Sequence, residues 1–342
     1  MTKRWISVHI FYSSNLSPVL ADCVEPLVRA LQKAALISRY FFIRYWLSGS
    51  HIRLRLLPAG NVSEDAVKET VEAAITAFLK RRPALFQVSN DNPRLKEFYR
   101  RMFVAEYSEE ALIARYGESG EIPEYDNNSF HYIEYEPEFH RYGGEAGVEL
   151  AEKHFEVSSD VVLKLIRETN MHLRSIVMGH AIQLMLQMCY GFFDDDERVL
   201  AFLARYTEFW QATYRLNPDK SYPRFDRKYS QKAESLHKRL TEIRQLTTED
   251  ALAYGTPLER QWGAHIKQLR AEILRLAEAG ELELPDDARD GESALAYLLT
   301  SYVHMTNNRI GVSIIDECYL SYLIQRAIED SRSQTLQEAS HG

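Results

Sequence analysis

The stretch Phe42-Ile43-Arg44-Tyr45-Trp46-Leu47-Ser48-Gly49-Ser50-His51-Ile52-Arg53-Leu54-Arg55-Leu56 decides how the front of this chain is read. Its two halves are rich in aromatic and β-branched residues and flank Ser48-Gly49, the pattern of a β-hairpin. Taking Ser48-Gly49 as a two-residue turn pairs Leu47 with Ser50, Trp46 with His51, Arg44 with Arg53 and Phe42 with Arg55. Side chains alternate between the faces of a strand. Ile52, Leu54 and Leu56 then face one way, and His51, Arg53 and Arg55 face the other, beside Arg44. Like charges directly opposite one another destabilise a sheet. An anion between them would reverse that penalty, because a carboxylate accepts paired, charge-assisted hydrogen bonds from guanidinium forks. The competing reading is a solvated face whose arginines pair with surface carboxylates. The hairpin pattern alone leaves both open.

Working outward, Trp5–Tyr12 reads as a strand and Ser17–Leu36 has helical spacing with Pro18 in its first turn. The hairpin strands are expected at Tyr40–Leu47 and His51–Leu57. A helix follows, capped by Ser63, carrying Glu64 and Asp65 in its first turn and ending near Lys80. Pro93–Ala114 reads as helix with a break near Tyr107-Ser108, Gly117–Asn128 as loop and Phe130–Tyr135 as strand. From about Ala146 the pattern is helical: one long amphipathic helix over Ser158–Met188, then Glu197–Leu216, Ser230–Gln245, Thr256–Glu278, Ser293–Met305 and Ile314–Asp330. Asn217–Lys228 and Leu282–Glu292 read as loops. The fold expected is α+β, a mixed sheet with a hairpin in the N-terminal part packed on a largely helical C-terminal part. The chain reads as a single domain sharing one core, with a sheet part over 1–145, a helical part over 146–330 and a frayed polar tail over 331–342.

The chain has 342 residues, 45% of them hydrophobic and 26% charged, an ordinary globular composition. Its 49 acidic residues outnumber 41 basic ones, giving a net charge of −8. That balance argues against direct nucleic-acid binding, which needs a basic footprint. Cys23, Cys189 and Cys318 are far apart and imply neither a disulfide framework nor a metal site. No apolar run approaches the roughly 20 residues that span a bilayer, so no membrane association and a cytoplasmic location are expected. No phosphate loop, nucleophile elbow or zinc helix occurs, and no cofactor is expected. The long apolar helices could pair two copies into a homodimer.

Two further segments carry candidate chemistry. In Glu138-Phe139-His140-Arg141-Tyr142-Gly143-Gly144, Glu138 and Arg141 share a helical face, and the glycines would end that turn. Spacing alone favours an ordinary ion pair worth a few tenths of a kcal/mol. In Tyr302-Val303-His304-Met305-Thr306-Asn307-Asn308-Arg309-Ile310-Gly311, His304 and Asn308 align on one face of an apolar helix. A lone histidine there is more often a core residue or a partner of the helix dipole. His9, His131, His172, His180 and His265 show no pairing that would make a metal site.

Taken in order, Trp5–Tyr12, the Arg-Tyr-Trp…His-Ile-Arg-Leu-Arg hairpin, the Glu-x-x-Arg-Tyr-Gly-Gly segment and the His-Met-x-x-Asn-Arg-Ile-Gly segment resemble one family over about Arg4 to Asp330. It is the thiopeptide-type bacteriocin biosynthesis domain, which is also the C-terminal glutamate-elimination domain of class I lanthipeptide dehydratases of the nisin type. The resemblance implies a cytoplasmic lyase, in stand-alone split form, that acts on a glutamylated precursor peptide. A partner enzyme using glutamyl-tRNA would esterify Ser or Thr, and this chain would expel glutamate to leave dehydroalanine or dehydrobutyrine. The family's elimination residues match Arg53, Arg55, Glu138, Arg141 and His304. The turn Leu47-Ser48-Gly49-Ser50 departs from the Gly-Gly-Pro-like turn more usual in the family.

The chemistry fits those residue types. Glutamate departs readily as a carboxylate; removing the Cα proton is the difficult part, needing a base and stabilisation of the developing enolate-like charge. Histidine titrates near neutrality, which suits His304 as base or proton shuttle. Arg53, Arg55 and Arg141 would hold the glutamyl group and Glu138 would orient an arginine. Arg44, His51 and Asn308 are further substrate-binding candidates. The same family includes enzymes that join two dehydroalanines in a formal [4+2] cycloaddition to form the pyridine core of thiopeptides. That is the first alternative; a non-catalytic scaffold docking the precursor peptide is the second.

Overall fold

The computed structural model describes residues 4–85, 93–247 and 255–341. They fall into two compact units, one of residues up to Pro137 together with Ser158–His172, the other of Glu138–Val157 and Leu173 onward.

The first unit is built on β1 (Ile6–Phe11), a short α1 (Ser17–Val19) continued by a π-helical turn (Leu20–Val24), α2 (Glu25–Lys33), β2 (Ile37–Tyr45), β3 (His51–Pro58), α3 (Glu64–Arg81), α4 (Pro93–Glu106), α5 (Glu109–Tyr116) and β4 (Ser129–Tyr132). The sheet order is β2-β3-β1-β4. Each ladder is antiparallel, so the α+β class holds but the sheet is not mixed. The reason lies in the hairpin. β1 and β2 run the same way through a helical crossover, and β3 returns between them, antiparallel to both. On one face Val8, Ile10, Ile52, Leu54, Leu56, Tyr40 and Phe42 are buried, as are Val24, Leu27, Val28 and Leu31 of the helical crossover and Val67, Val71 and Ile75 of α3. Ser63 caps α3, its hydroxyl accepting from the Ala66 N–H at 3.3 Å. The break near Tyr107-Ser108 is present, with Ser108 capping α5.

The hairpin itself differs from expectation. Tyr45 pairs with His51, Arg44 with Ile52, Ile43 with Arg53, Phe42 with Leu54 and Phe41 with Arg55. The loop is Trp46–Ser50, five residues rather than two, closed by the Gly49 N–H donating to the Trp46 carbonyl at 3.1 Å. Leu47 leaves the ladder because it is buried with Phe103 and Leu112 from α4 and α5. Ser48 takes a positive φ of 67° and Gly49 one of 109° to make that turn. Adding an odd number of loop residues inverts which side chains share a face. Arg44 is therefore on the face opposite to Arg53, Arg55 and His51, and the expected grouping of three arginines is corrected to two.

The second unit is helical: α6 (Phe139–Tyr142), the first part of α7 (Gly144–Glu168), α8 (Arg174–Phe192), α9 (Asp196–Tyr214), α10 (Pro218–Ser230), α11 (Ala233–Thr247), α12 (Pro257–Glu278), α13 (Gly291–Ile310) and α14 (Ile314–His341). α8 packs against α11, α12, α13 and α14, and α9 against α14. From Ala181 to Tyr190 every α8 side chain is buried, Gln183 and Gln187 among them, so this stretch is covered on all sides rather than on one face as an amphipathic helix would be. Thr256 and Glu259 form a reciprocal capping box at the start of α12.

Two expectations fail here. The single helix over Ser158–Met188 is interrupted between Glu168 and Arg174, where the Asn170 side chain accepts from the His172 N–H at 3.3 Å. Such local side-chain bonding competes with helix continuation. Asn217–Lys228, read as a loop, is mostly helix α10 with Pro223 inside it. Its aromatic residues carry it: Phe225 lies 4.9 Å from Tyr319 and Tyr222 5.1 Å from Tyr322, ring centroid to centroid. α14 runs on to His341, and Gly342 lies outside the described residues. Among the described residues no helix is long and apolar enough to cross a membrane.

Candidate functional site

The candidate residues fall into two constellations, one in each unit. In the first unit, the polar face of the sheet carries Ser7, His9 and Phe11 from β1, Phe41 and Tyr45 from β2, His51, Arg53 and Arg55 from β3 and His131 from β4. It is not a solvated face. His9 is 3% exposed, His51 1% and Arg55 3%. Aromatic rings from the segment after α5 lie on it: Tyr125 is 4.6 Å from Phe11 and 4.7 Å from His131, and the Arg55 guanidinium is 5.2 Å from the Tyr135 ring.

The charge on this face is specific. Arg53 lies 3.4 Å over the Tyr45 ring and its Nε–H donates to His51 Nε2 at 3.2 Å. The other His51 nitrogen, Nδ1, donates to the Gly49 carbonyl at 2.7 Å. These bonds fit a neutral ring. Burial, then the nearby Arg53 charge, pulls the His51 pKa down to about 3, against a raising effect of the Gly49 bond. His9, stacked on His51 at 5.0 Å, is also held neutral, by burial and then by Arg55 and Arg53. The Nε and Nη1 atoms of Arg55, and Nε2 of His9, are buried without a hydrogen-bond partner among the described residues. Burial, followed by the charge of Arg53, lowers the Arg55 pKa to about 9, which leaves it cationic at neutral pH. Neither arginine has a carboxylate partner among the described residues. Arg44, on the opposite face, donates to Ser17 Oγ at 3.4 Å.

In the second unit, the segment Glu138–Gly144 and α13 come together. α6 packs on α13, and Tyr142 stacks on Tyr302 at 6.0 Å, two residues before His304. The expected Glu138–Arg141 pair is present at 3.2 Å. Gly143 and Gly144 both have φ of 81°, and a Cβ at Gly143 would stand 2.9 Å from Leu284 Cδ2. Only glycine meets both conditions without strain.

His304 is 15% exposed at its side chain. Its Nδ1 lies 3.1 and 3.3 Å from the two carboxylate oxygens of Glu317, and the Tyr206 hydroxyl also donates to that carboxylate. The Trp210 ring packs on the imidazole at 4.5 Å. Asn308 is half-buried on the same helix. Arg309 is fully buried, donating to the Met305 carbonyl at 2.7 Å and lying 4.4 Å from the Phe155 ring.

Sequence reasoning missed Glu317, Tyr206, Trp210, His9 and His131 as neighbours of the candidate residues. One signal for Glu317 was present: an acidic residue inside the apolar run Ile314-Ile315-Asp316-Glu317-Cys318-Tyr319-Leu320. It also missed a buried chain of hydrogen bonds through His154. Thr306 donates to the Tyr302 carbonyl at 2.8 Å, so its oxygen accepts from His154 Nε2 at 3.1 Å, and His154 Nδ1 accepts from His265 Nε2 at 3.0 Å. Both rings are kept neutral, chiefly by burial, with His265 lowered to about 4. Among the described residues no cluster of His, Cys, Asp and Glu is arranged to hold a metal ion.

No curated protein matches this sequence. Among solved structures, the chain is similar to a pyridine synthase, TbtD, from thiomuracin biosynthesis, with a TM-score of 0.72 at 18% identity over 96% of this chain and 98% of that one. It is similar to TsrL, with a TM-score of 0.69 at 15% identity over 97% and 96%. It is also similar to the tRNA-dependent lantibiotic dehydratase MibB from Microbispora sp. 107891, with a TM-score of 0.52 at 20% identity over 97% of this chain but 28% of that one. The family model for the lantibiotic biosynthesis dehydratase C-terminus matches residues 5–328. The chain belongs to the lantibiotic dehydratase C-terminal family.

Proposed function

We propose that this chain is a pyridine-forming enzyme of thiopeptide-type maturation, joining two dehydroalanines of a ribosomally made precursor peptide in a formal [4+2] cycloaddition. The observation that carries this reading is the backbone likeness to TbtD, with a TM-score of 0.72 over 96% of this chain, against 0.52 over 97% of it for MibB. For a dehydroalanine and its amide to serve as the four-atom partner, the amide proton must move from nitrogen to the carbonyl oxygen. That demands a group able to carry a proton and cations to stabilise the oxygen as charge develops. His304 suits the first role, and Arg53 and Arg55 the second. The aromatic rings over the basic face, Phe11, Tyr45, Tyr125 and Tyr135, suit flat unsaturated residues.

Glutamate elimination is the second reading, and a different observation favours it. Arg55 keeps two buried guanidinium nitrogens without a hydrogen-bond partner among the described residues, and a glutamyl carboxylate is the group that would satisfy them. The five positions that resemble the family's elimination residues, Arg53, Arg55, Glu138, Arg141 and His304, are all retained. In this reading His304 takes the Cα proton as glutamate departs, and the glutamylated peptide comes from a glutamyl-tRNA-dependent partner.

One experiment separates them. The purified protein is given, in parallel, a peptide carrying two dehydroalanines and a glutamylated peptide, and products are read by mass spectrometry. Cyclisation with loss of the leader is the expected outcome. Release of glutamate from the second peptide, with the first left unchanged, replaces it with elimination. Inertness toward both, with peptide affinity that survives His304→Ala and Arg53→Ala, leaves a docking scaffold.

A further inference from the structure

We infer that Glu317 and Tyr206 are positioning residues that fix His304 as its Nδ1–H tautomer, so that Nε2 is the nitrogen that gains and loses the proton. The inference rests on the reading in which His304 moves a proton, and it holds for either peptide reaction. It concerns the second unit alone.

The geometry is that of an oriented base. Glu317 is fully buried, on α14, thirteen residues beyond the histidine it touches. Its oxygens lie 3.1 and 3.3 Å from His304 Nδ1, and a carboxylate can only accept, so Nδ1 must carry a hydrogen whether the ring is neutral or cationic. Nε2 has no partner among the described residues. The neutral imidazole therefore presents its lone pair at Nε2. Free histidine in water prefers the opposite tautomer, so the carboxylate is reversing an intrinsic preference.

Tyr206 completes the arrangement from below. Its hydroxyl donates to the same carboxylate, and burial, then the Glu317 charge, raises its pKa well above the ordinary phenol value, so it stays a donor. Two donors on one buried carboxylate offset the cost of removing that charge from water. Trp210 covers one side of the imidazole at 4.5 Å and limits rotation about its ring axis. The groups facing His304 are thus Glu317 from α14 with Tyr206 and Trp210 from α9. One nitrogen of a largely buried ring thus meets a carboxylate that is itself held by a second donor, while an aromatic ring covers the imidazole.

In the proton step, the Nε2 lone pair forms an N–H bond as the substrate's N–H or Cα–H bond breaks. The electron pair left behind moves onto the adjacent carbonyl oxygen. The resulting imidazolium is stabilised by Glu317 through Nδ1–H, and it returns the Nε2 proton later in the same turnover. An aspartate or glutamate behind a catalytic histidine serves this role in the well-known hydrolase triads.

The test uses the full chain labelled with ¹⁵N-histidine, with His304→Gln to assign its resonances. At a pH where His304 is neutral, long-range ¹H–¹⁵N correlation should show a protonated Nδ1 and a bare Nε2 in the parent, and a shift toward Nε2–H in Glu317→Gln. A parent His304 already in the Nε2–H form overturns the assignment, and this arm needs neither a folded Glu317 variant nor a known substrate. On whichever peptide is turned over, Glu317→Gln should lower kcat at least about tenfold with KM little changed. Glu317→Asp should recover part of that loss and Tyr206→Phe should fall between. Parental kcat in Glu317→Gln refutes the inference. Inertness of the parent toward both peptides instead refutes the proposed function and leaves the tautomer result standing.

Discussion

The basic face of the sheet and the His304 end of α13 solve opposite electrostatic problems. On the sheet, Arg55 is buried as a cation and Arg53 stands beside it, with three histidines around them and no carboxylate among the described residues. At α13, the charge that is buried is an anion, Glu317, and it is saturated by Nδ1 of His304 and the Tyr206 hydroxyl. The first region is left incomplete and the second is finished. A buried charge without its counter-charge costs stability and persists where function needs it. On the proposed function, the basic face is the part that would meet an anionic or charge-developing group, and the α13 end the part that would handle a proton.

Replacing Arg55 probes the larger half of that contrast. Arg55→Met should abolish most turnover, by about 100-fold or more in kcat/KM, as expected when a buried cation that meets developing charge is removed. The same variant should keep or raise thermal stability, because an apolar side chain of similar volume replaces an unpaired buried charge. A drop in melting temperature equal to that of an ordinary core truncation would show that Arg55 is a structural residue.

A smaller effect follows from the neutral histidines. The folded-state pKa of His51 is about 3 and that of His265 about 4, both below the ordinary value of 6.5. Between those values and 6.5 the unfolded chain binds protons that the folded chain refuses, so stability rises with pH through this window. It is complete above about pH 6.5 and is lost as the solution is acidified toward pH 4 and then 3. Denaturant midpoints measured from pH 7.5 to 4.5 should fall steadily, and His265→Gln should flatten the slope. A slope unchanged by His265→Gln would place the acid sensitivity on His154 and the histidines of the basic face.

The smallest effect is expected at Arg44. It faces away from Arg53 and Arg55, so Arg44→Met should leave kcat/KM near the parental value while Arg53→Met does not. Equal losses in the two variants would restore the register in which Arg44 pairs with Arg53.

Local pattern carried some of this a long way. The alternation His51-x-Arg53-x-Arg55 places three polar side chains on one face whatever their partner strand does, because the period of a strand is two. Ser63, Ser108 and Thr256 announce helix starts through caps that need no distant contact. Glu138 and Arg141 meet because three residues of helix bring them together.

What sequence alone could not decide was anything set by a partner far along the chain. Leu47 joins Phe103 and Leu112, and that one long-range contact lengthens the hairpin loop and turns Arg44 to the other face. α10 is helical because Tyr222 and Phe225 find Tyr319 and Tyr322, against the local bias of Pro, Asn and Asp. Glu317 reaches His304 only because the chain reverses after Gly311, whose φ of 96° ends α13 and lets α14 fold back. The sequence by itself determined which chemistries were on offer: guanidiniums at a fixed spacing in a strand, a histidine near a helix end. The tertiary structure alone decided which of those groups are buried, which carry a counter-charge and which nitrogen of the histidine is left bare. Solvent exclusion and hydrogen-bond partners are properties of packing, and no local pattern encodes them.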